Sequence, residues 1–165
     1  MLLAAGCGGG SSQEVAPKVV RGKGYAFQAP ADWTIVRSGR QVQAAKGGKS
    51  LDLIAVSRFP LLKRFRPELW KEVEVELDRA ATGIAAQQHG SISSSEATKL
   101  AGEQAKRYDV AYEARGKKLV ERIAFVLRGK TEYLLLCRFE QDRDDAPCEQ
   151  LFTSFRLTRA SGRLR

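Results

Sequence analysis

Histidine and methionine each occur once in this chain of 165 residues, and cysteine occurs three times. With His89 as its one imidazole and no Cys-x-x-Cys pair, the sequence lacks the ligand density of a metal centre. A catalytic histidine needs a nucleophile or carboxylate held beside it, and nothing near His89 supplies one. It reads as an exposed residue at a helix end, where the dipole suits a cation. No run approaches the ~20 apolar residues that a spanning helix requires. No block of like charge is long enough for a nucleic-acid tail, and no internal repeat is present.

What is there is enough for one domain: 43% of the residues are hydrophobic, and aromatics are spread from Tyr25 onward. The formal net charge is +9, from 28 Lys and Arg against 19 Asp and Glu. Lys18, Arg21, Lys23, Arg37, Arg40, Lys46 and Lys49 make the first third basic, Glu68 to Asp78 is acidic, and Arg156, Arg159, Arg163 and Arg165 end the chain. This balance permits binding to nucleic acid, anionic lipid or an acidic partner, or is simply a solvated basic surface. Gly47-Gly48-Lys49-Ser50 is not a phosphate loop, because the GxxxxGK[ST] spacing fails and a strand follows where a helix is required.

The opening Leu3-Ala4-Ala5-Gly6-Cys7, followed by Gly8-Gly9-Gly10-Ser11-Ser12, resembles the bacterial lipobox. The resemblance implies a diacylglycerol on the Cys7 thiol, acylation with palmitate, and residues 8–21 as a flexible leash to the membrane. Ala4 stands where that motif prefers Leu, and only six residues precede Cys7, so the rest of a signal peptide is expected upstream. Residues 1–21 are therefore read as truncated signal peptide, lipobox and linker. Cys137 and Cys148 lie a hairpin length apart in a chain that looks exported, which reads as a disulfide. Such a closure contributes about 2–3 kcal/mol; two buried free thiols are the alternative.

Tyr25 and Phe27 alternate on a strand stopped by Pro30, and strands follow at 33–37, 41–45 and 51–57, the last central. Pro67 marks the first turn of a helix from Glu68 to about Gln88, with Trp70, Val73, Leu77, Ala80 or Ala81, and Ile84 as its buried stripe and Gly90 placed to end it. A polar strand at 92–99 precedes strands at 103–115, 119–128 and 132–140, separated by glycine-containing turns. A short helix at 146–155 turns Leu151, Phe152 and Phe155 inward. Trp33 and Trp70 are read as core. Asp142, Asp144 and Asp145 form a solvated turn capping that helix and not a calcium loop, since Arg143 lies among them and the required Gly and Glu are missing.

Four features resemble the PsbP-like family: Tyr-x-Phe-x-x-Pro-x-x-Trp over 25–33, the mid-chain helix, the paired hairpins over 103–140, and Ser154-Phe155 closing the C-terminal helix. The resemblance implies an α+β fold over residues 22–158, an antiparallel sheet flanked by one long helix and a short C-terminal helix in an α/β/α sandwich, with a basic tail at 159–165. It implies no activity.

The segment Arg58 to Pro67 mixes cations with Phe59, Leu61, Leu62 and Phe65 between two prolines. Lys63, Arg64, Phe65 and Arg66 are the candidate binding residues, for anionic headgroups or a partner's acidic groove. The competing reading folds the apolar members back onto the helix and leaves the cations in water. Tyr108 and Tyr112 share a strand face with Arg107 and Asp109 on the other, so the basic-aromatic face of a nucleic-acid binder is not formed. The sequence thus describes an extracytoplasmic lipoprotein, anchored to the bacterial cell membrane through Cys7, that acts as a non-enzymatic binding or adaptor module with no cofactor. A lipoprotein that binds a small ligand or anionic lipid, and a hydrolase with an unrecognised site, are the alternatives.

Overall fold

The computed structural model describes residues 15–158. Alternation along β9 (Thr131–Glu140) sets its architecture: Tyr133, Leu135, Cys137 and Phe139 enter one apolar cluster, while Leu134 and Leu136 enter another on the opposite face. A strand buried on both faces needs a layer on each side. One layer is the helix α1 (Trp70–Gln87); the other combines a small sheet with the helix α2 (Ala146–Ser154).

The remaining strands are β1 (Lys18–Gly22), β2 (Tyr25–Ala29), β3 (Thr34–Ser38), β4 (Gln41–Ala45), β5 (Leu53–Pro60), β6 (Ser91–Leu100), β7 (Glu103–Ala114), β8 (Lys117–Arg128) and β10 (Arg156–Leu157). The main sheet has seven antiparallel strands in the order β3-β4-β5-β9-β8-β7-β6. The meander β6 to β9 folds back so that β9 pairs with β5, Ile54 opposite Cys137 and Val56 opposite Leu135. The small sheet is β1-β2-β10, also antiparallel. The expected α+β sandwich, with one long and one short C-terminal helix, is the fold observed.

α1 buries Leu77, Ala81 and Ala85 fully and Trp70, Val73 and Ile84 in part, at the helical spacing that predicted its stripe. A 3-10 turn over Pro67–Leu69 leads into it. Its end differs from the expectation. His89 takes the left-handed conformation at φ 53°, with its N–H on the Ala86 carbonyl and the Gly90 N–H on that of Ala85. Gly90 is needed for a different reason: a Cβ there would lie 2.5 Å from the Ala111 carbonyl of β7. His89 itself is exposed.

The leash expected to run to residue 21 stops earlier, because Lys18–Gly22 is β1 and pairs with all of β2. Val20 joins the core, and the Lys18 ammonium donates to the Ala31 and Trp33 carbonyls. Gly22 leaves room for the Tyr25 ring, which a Cβ would strike. The domain therefore begins about four residues before the expected boundary at 22. Cys7 and the basic tail at 159–165 lie outside the described residues.

Cys137 and Cys148 are joined by a disulfide, with Cα atoms 5.4 Å apart, linking β9 to α2. Both residues sit in the same core cluster as Leu151, Phe152, Phe155 and Trp33. Constraining an unfolded loop of this length is worth about 3 kcal/mol. Thermal unfolding with and without reductant should show the reduced protein melting on the order of 10 °C lower, with α2 the first element to lose protection.

Candidate functional site

Most buried charge in the molecule is paired across structural elements. Arg122, on β8, makes a two-pronged contact with Asp109 of β7 at 2.9 and 3.1 Å. The same guanidinium reaches Asp145 at 3.1 Å and Glu149 at 2.9 Å, both at α2, and lies over the Phe139 ring. Hydrogen bonding to Asp109 raises its already high pKa further, against the opposing effect of burial. Asp145, at the N-cap of α2, is thus a partner of Arg122 and makes no side-chain cap, contrary to the expected capping; Asp144 forms a turn before the helix by accepting from the Ala146 N–H at 2.9 Å.

On the α1 face Glu121 is 1% exposed and meets Arg138 at 2.9 Å and the Tyr112 hydroxyl at 3.3 Å. Burial, with the Glu121 charge behind it, pushes the Tyr112 phenol up to about 12. Lys106 bridges Glu74 at 3.0 Å and Asp78 at 2.8 Å on α1, and the Tyr108 hydroxyl donates to Asp78 at 2.7 Å. These bonds, Lys106 foremost, hold the Asp78 carboxyl below its ordinary range. In each network the cation and carboxylates satisfy one another: Arg122 and Lys106 tie a helix to the sheet, and Arg138 with Glu121 joins neighbouring strands within it. The two tyrosine hydroxyls that meet carboxylates, Tyr108 on Asp78 and Tyr112 on Glu121, are buried, and burial holds both phenols in the neutral form. Among the described residues no group of three His, Cys, Asp or Glu is placed to hold a metal ion.

The loop after β5 has a different character. Arg58 to Pro60 belong to the end of β5, so the irregular part begins at Leu61. Two backbone bonds lay it across the end of the β8–β9 hairpin: the Leu61 N–H to the Lys130 carbonyl at 3.0 Å, and the Phe65 N–H to that of Gly129 at 2.7 Å. Leu61 and Phe65 fold back onto the α1 cluster, Phe65 edge-on to Trp70 with centroids 6.3 Å apart. Lys63, Arg64 and Arg66 stay exposed, as the competing reading of this loop expected. Leu62 departs from that reading: it is 100% exposed.

Lys63, Arg64 and Phe65 share one wall of a groove of about 540 Å³ whose other wall is Leu69 of the 3-10 turn with Val73 and Leu77 of α1. Arg66 does not line it. Glu132 of β9 also borders the groove, and burial alone pushes its carboxyl up. Sequence reasoning missed Glu132; its one local signal was a carboxylate on the side of β9 that carries Leu134 and Leu136.

No protein-family model matches this chain, and no curated protein matches it in sequence. Solved structures do share its fold. Cyanobacterial PsbP (CyanoP) from Synechocystis sp. PCC 6803 aligns with a TM-score of 0.59 and 13% identity over 93% of this chain and 98% of that one. The fold is PsbP-like. A protein from Bacteroides thetaiotaomicron VPI-5482 aligns at TM-score 0.60 and 10% identity over 82% of this chain, which spans only 46% of that longer one. LpqN, involved in cell envelope biogenesis of Mycobacterium tuberculosis, aligns at 0.50 and 11% identity over 87% of this chain and 91% of LpqN. At such identities the likeness carries the PsbP-like fold and no chemistry.

Replacing Arg122 with Met would leave three carboxylates facing one another. Two of them are half in water, so the expected loss is about 2–3 kcal/mol, below the range for a fully buried pair. Urea unfolding would measure it, and amide exchange should quicken in α2 more than in α1.

Proposed function

We propose that the protein is a membrane-anchored extracytoplasmic lipoprotein, tethered through Cys7, that works as a non-enzymatic binding module. Its contact with an anionic bilayer is the loop 61–66. The observation that carries this reading is Leu62, fully exposed beside exposed Lys63, Arg64 and Arg66, on a loop anchored by Leu61 and Phe65. A wholly exposed leucine gains nothing from water, whereas an apolar tip ringed by cations fits the boundary between headgroups and acyl chains.

Three other features support the reading. The lipobox-like stretch before Cys7 accounts for an anchor, and the Cys137–Cys148 bond suits an oxidising compartment. The satisfied charge networks favour a scaffold that presents a surface over a hydrolase. The envelope role stated for LpqN concerns that protein, and is compatible with the same location here.

Two arms of one experiment test the proposal. Expressed behind a complete signal peptide, the protein should partition with membranes and incorporate labelled palmitate, and Cys7→Ser should release it. Unlipidated protein should bind anionic vesicles with a salt dependence. Basic residues near such a surface contribute about 1 kcal/mol each, so Lys63→Ser, Arg64→Ser and Arg66→Ser together should weaken binding tenfold or more. Unchanged partitioning of the Cys7 variant would refute the anchor. A triple variant that binds vesicles as wild type does would refute the loop, and an acidic protein partner would then be the reading to pursue.

A further inference from the structure

On the far side of the loop from the apolar groove lies a second cleft, of about 610 Å³, that no local motif in the sequence announces. Three adjacent strands build its floor. Arg58 of β5 stands opposite Tyr133 of β9, and Arg128 of β8 stands opposite Thr131 of β9, so these four side chains share one sheet face. Lys23, from the turn between β1 and β2, closes the cleft from the small sheet. Arg64 closes it from the loop that crosses the hairpin end. Four cations therefore converge, and no carboxylate lines the cleft among the described residues. Arg128 meets Glu103 at 3.4 Å, outside the lining. Arg58 is half-buried and donates to the Thr131 hydroxyl at 3.3 Å.

This arrangement is the reverse of the two networks that tie the helices to the sheet. There Arg122 faces three carboxylates and Lys106 faces two, so charge is gathered to be neutralised. Here like charges are brought together at a concave surface, which raises the local potential and favours an anion able to touch several donors at once. Guanidinium groups match the paired oxygens of a phosphate, and the Tyr133 hydroxyl adds a donor at the floor. Gly24 and Gly129 border the cleft without side chains to fill it. Both occupy positive φ, at 83° and 57°, which a larger residue would enter only with strain.

We infer that Lys23, Arg58, Arg64 and Arg128 form a binding site for a phosphate-bearing anion. Its donors are spread over elements of both sheets and a pinned loop, so the site exists only in the folded protein. Two sources carry the same chemistry: a phosphomonoester lipid headgroup, or a soluble phosphorylated ligand.

The test uses the full chain with Cys7→Ser, so that no acyl chain intervenes, at physiological salt. Pyrophosphate is titrated while amide NMR shifts are followed. The site predicts saturable binding with shifts centred on Gly24, Gly129, Thr131 and Tyr133. Lys23→Ser with Arg128→Gln should weaken it tenfold or more, and both changed residues are exposed, so circular dichroism should show the fold intact. Lys63→Ser with Arg66→Ser, on the loop but outside the cleft, should leave it within twofold. Vesicles of phosphatidylcholine with and without phosphatidic acid then separate the sources. Pyrophosphate competing for phosphatidic-acid vesicles assigns a headgroup; pyrophosphate binding without any preference for those vesicles assigns a soluble ligand. Either outcome supports the site. Non-saturable shifts spread over the basic surface, or equal losses from both double variants, would overturn it. Arg64 borders both features, so the double variants tell the proposals apart: Lys63→Ser with Arg66→Ser on anionic vesicles bears on the loop alone, and Lys23→Ser with Arg128→Gln on pyrophosphate bears on the cleft alone.

Discussion

The burial of both faces of the central strands is the constraint on which the rest of the structure depends. β9 sends Leu135 and Cys137 one way and Leu134 and Leu136 the other, and β8 does the same with Val126 and Phe125. Such a sheet is stable only when both faces are covered. α1 covers one. The other is covered by aromatic residues of the small sheet and of α2: Tyr25, Phe27, Phe152 and Phe155. The Tyr25 ring meets both Tyr133 and Phe155, and its hydroxyl donates to the Val56 carbonyl at 2.9 Å, so β2, β5, β9 and the end of α2 share one contact. Removing any outer layer would expose the sheet beneath it.

Polar networks fix how the layers sit once apolar burial has brought them together. Lys106 with Glu74 and Asp78 sets α1 on β7, while Arg122 with Asp145 and Glu149 sets α2 on β8. The disulfide reinforces the second of these: Cys137 stands opposite Arg122 in the β8–β9 ladder, so covalent and ionic ties hold α2 at one place. Glu121 and Arg138 are direct cross-strand partners, which lets a nearly inaccessible carboxylate remain in the sheet. Apolar packing is tolerant of small shifts. Charge-assisted bonds with defined directions are not, and they make the arrangement specific.

Features written into local sequence were readable, and those made by long-range meeting were not. Tyr25 and Phe27 before Pro30 marked β2, the stripe from Trp70 to Ile84 marked α1, and glycines at the turns marked the hairpins. Cysteine spacing marked the disulfide. β1 was missed because Lys18–Gly22 follows a Gly/Ser-rich head, and its pairing with β2 is a tertiary fact with a weak local pattern. His89 in place of Gly90 at the left-handed position of the α1 terminus was missed because the glycine was reserved for close approach to Ala111. The loop 61–66 was visible as a mixture of cations and apolar residues, although the sequence did not distinguish anchored Phe65 from exposed Leu62. The basic cleft draws on positions 23, 58, 64 and 128, so no window of sequence contains it.

Both candidate binding features meet at one end of the molecule, where the loop 61–66 crosses the β8–β9 hairpin beside the β1–β2 turn. The opposite ends of β7 and β8, with His89 and the turn at Arg115-Gly116, carry neither. That polarity is the central claim about function. Hydrogen–deuterium exchange of the unlipidated protein, on anionic vesicles and on neutral ones, tests it most directly. The account predicts added protection at 61–66 on anionic vesicles alone, with 89–91 and 114–117 unchanged. Protection at the His89 end, or equal protection on neutral vesicles, would contradict it.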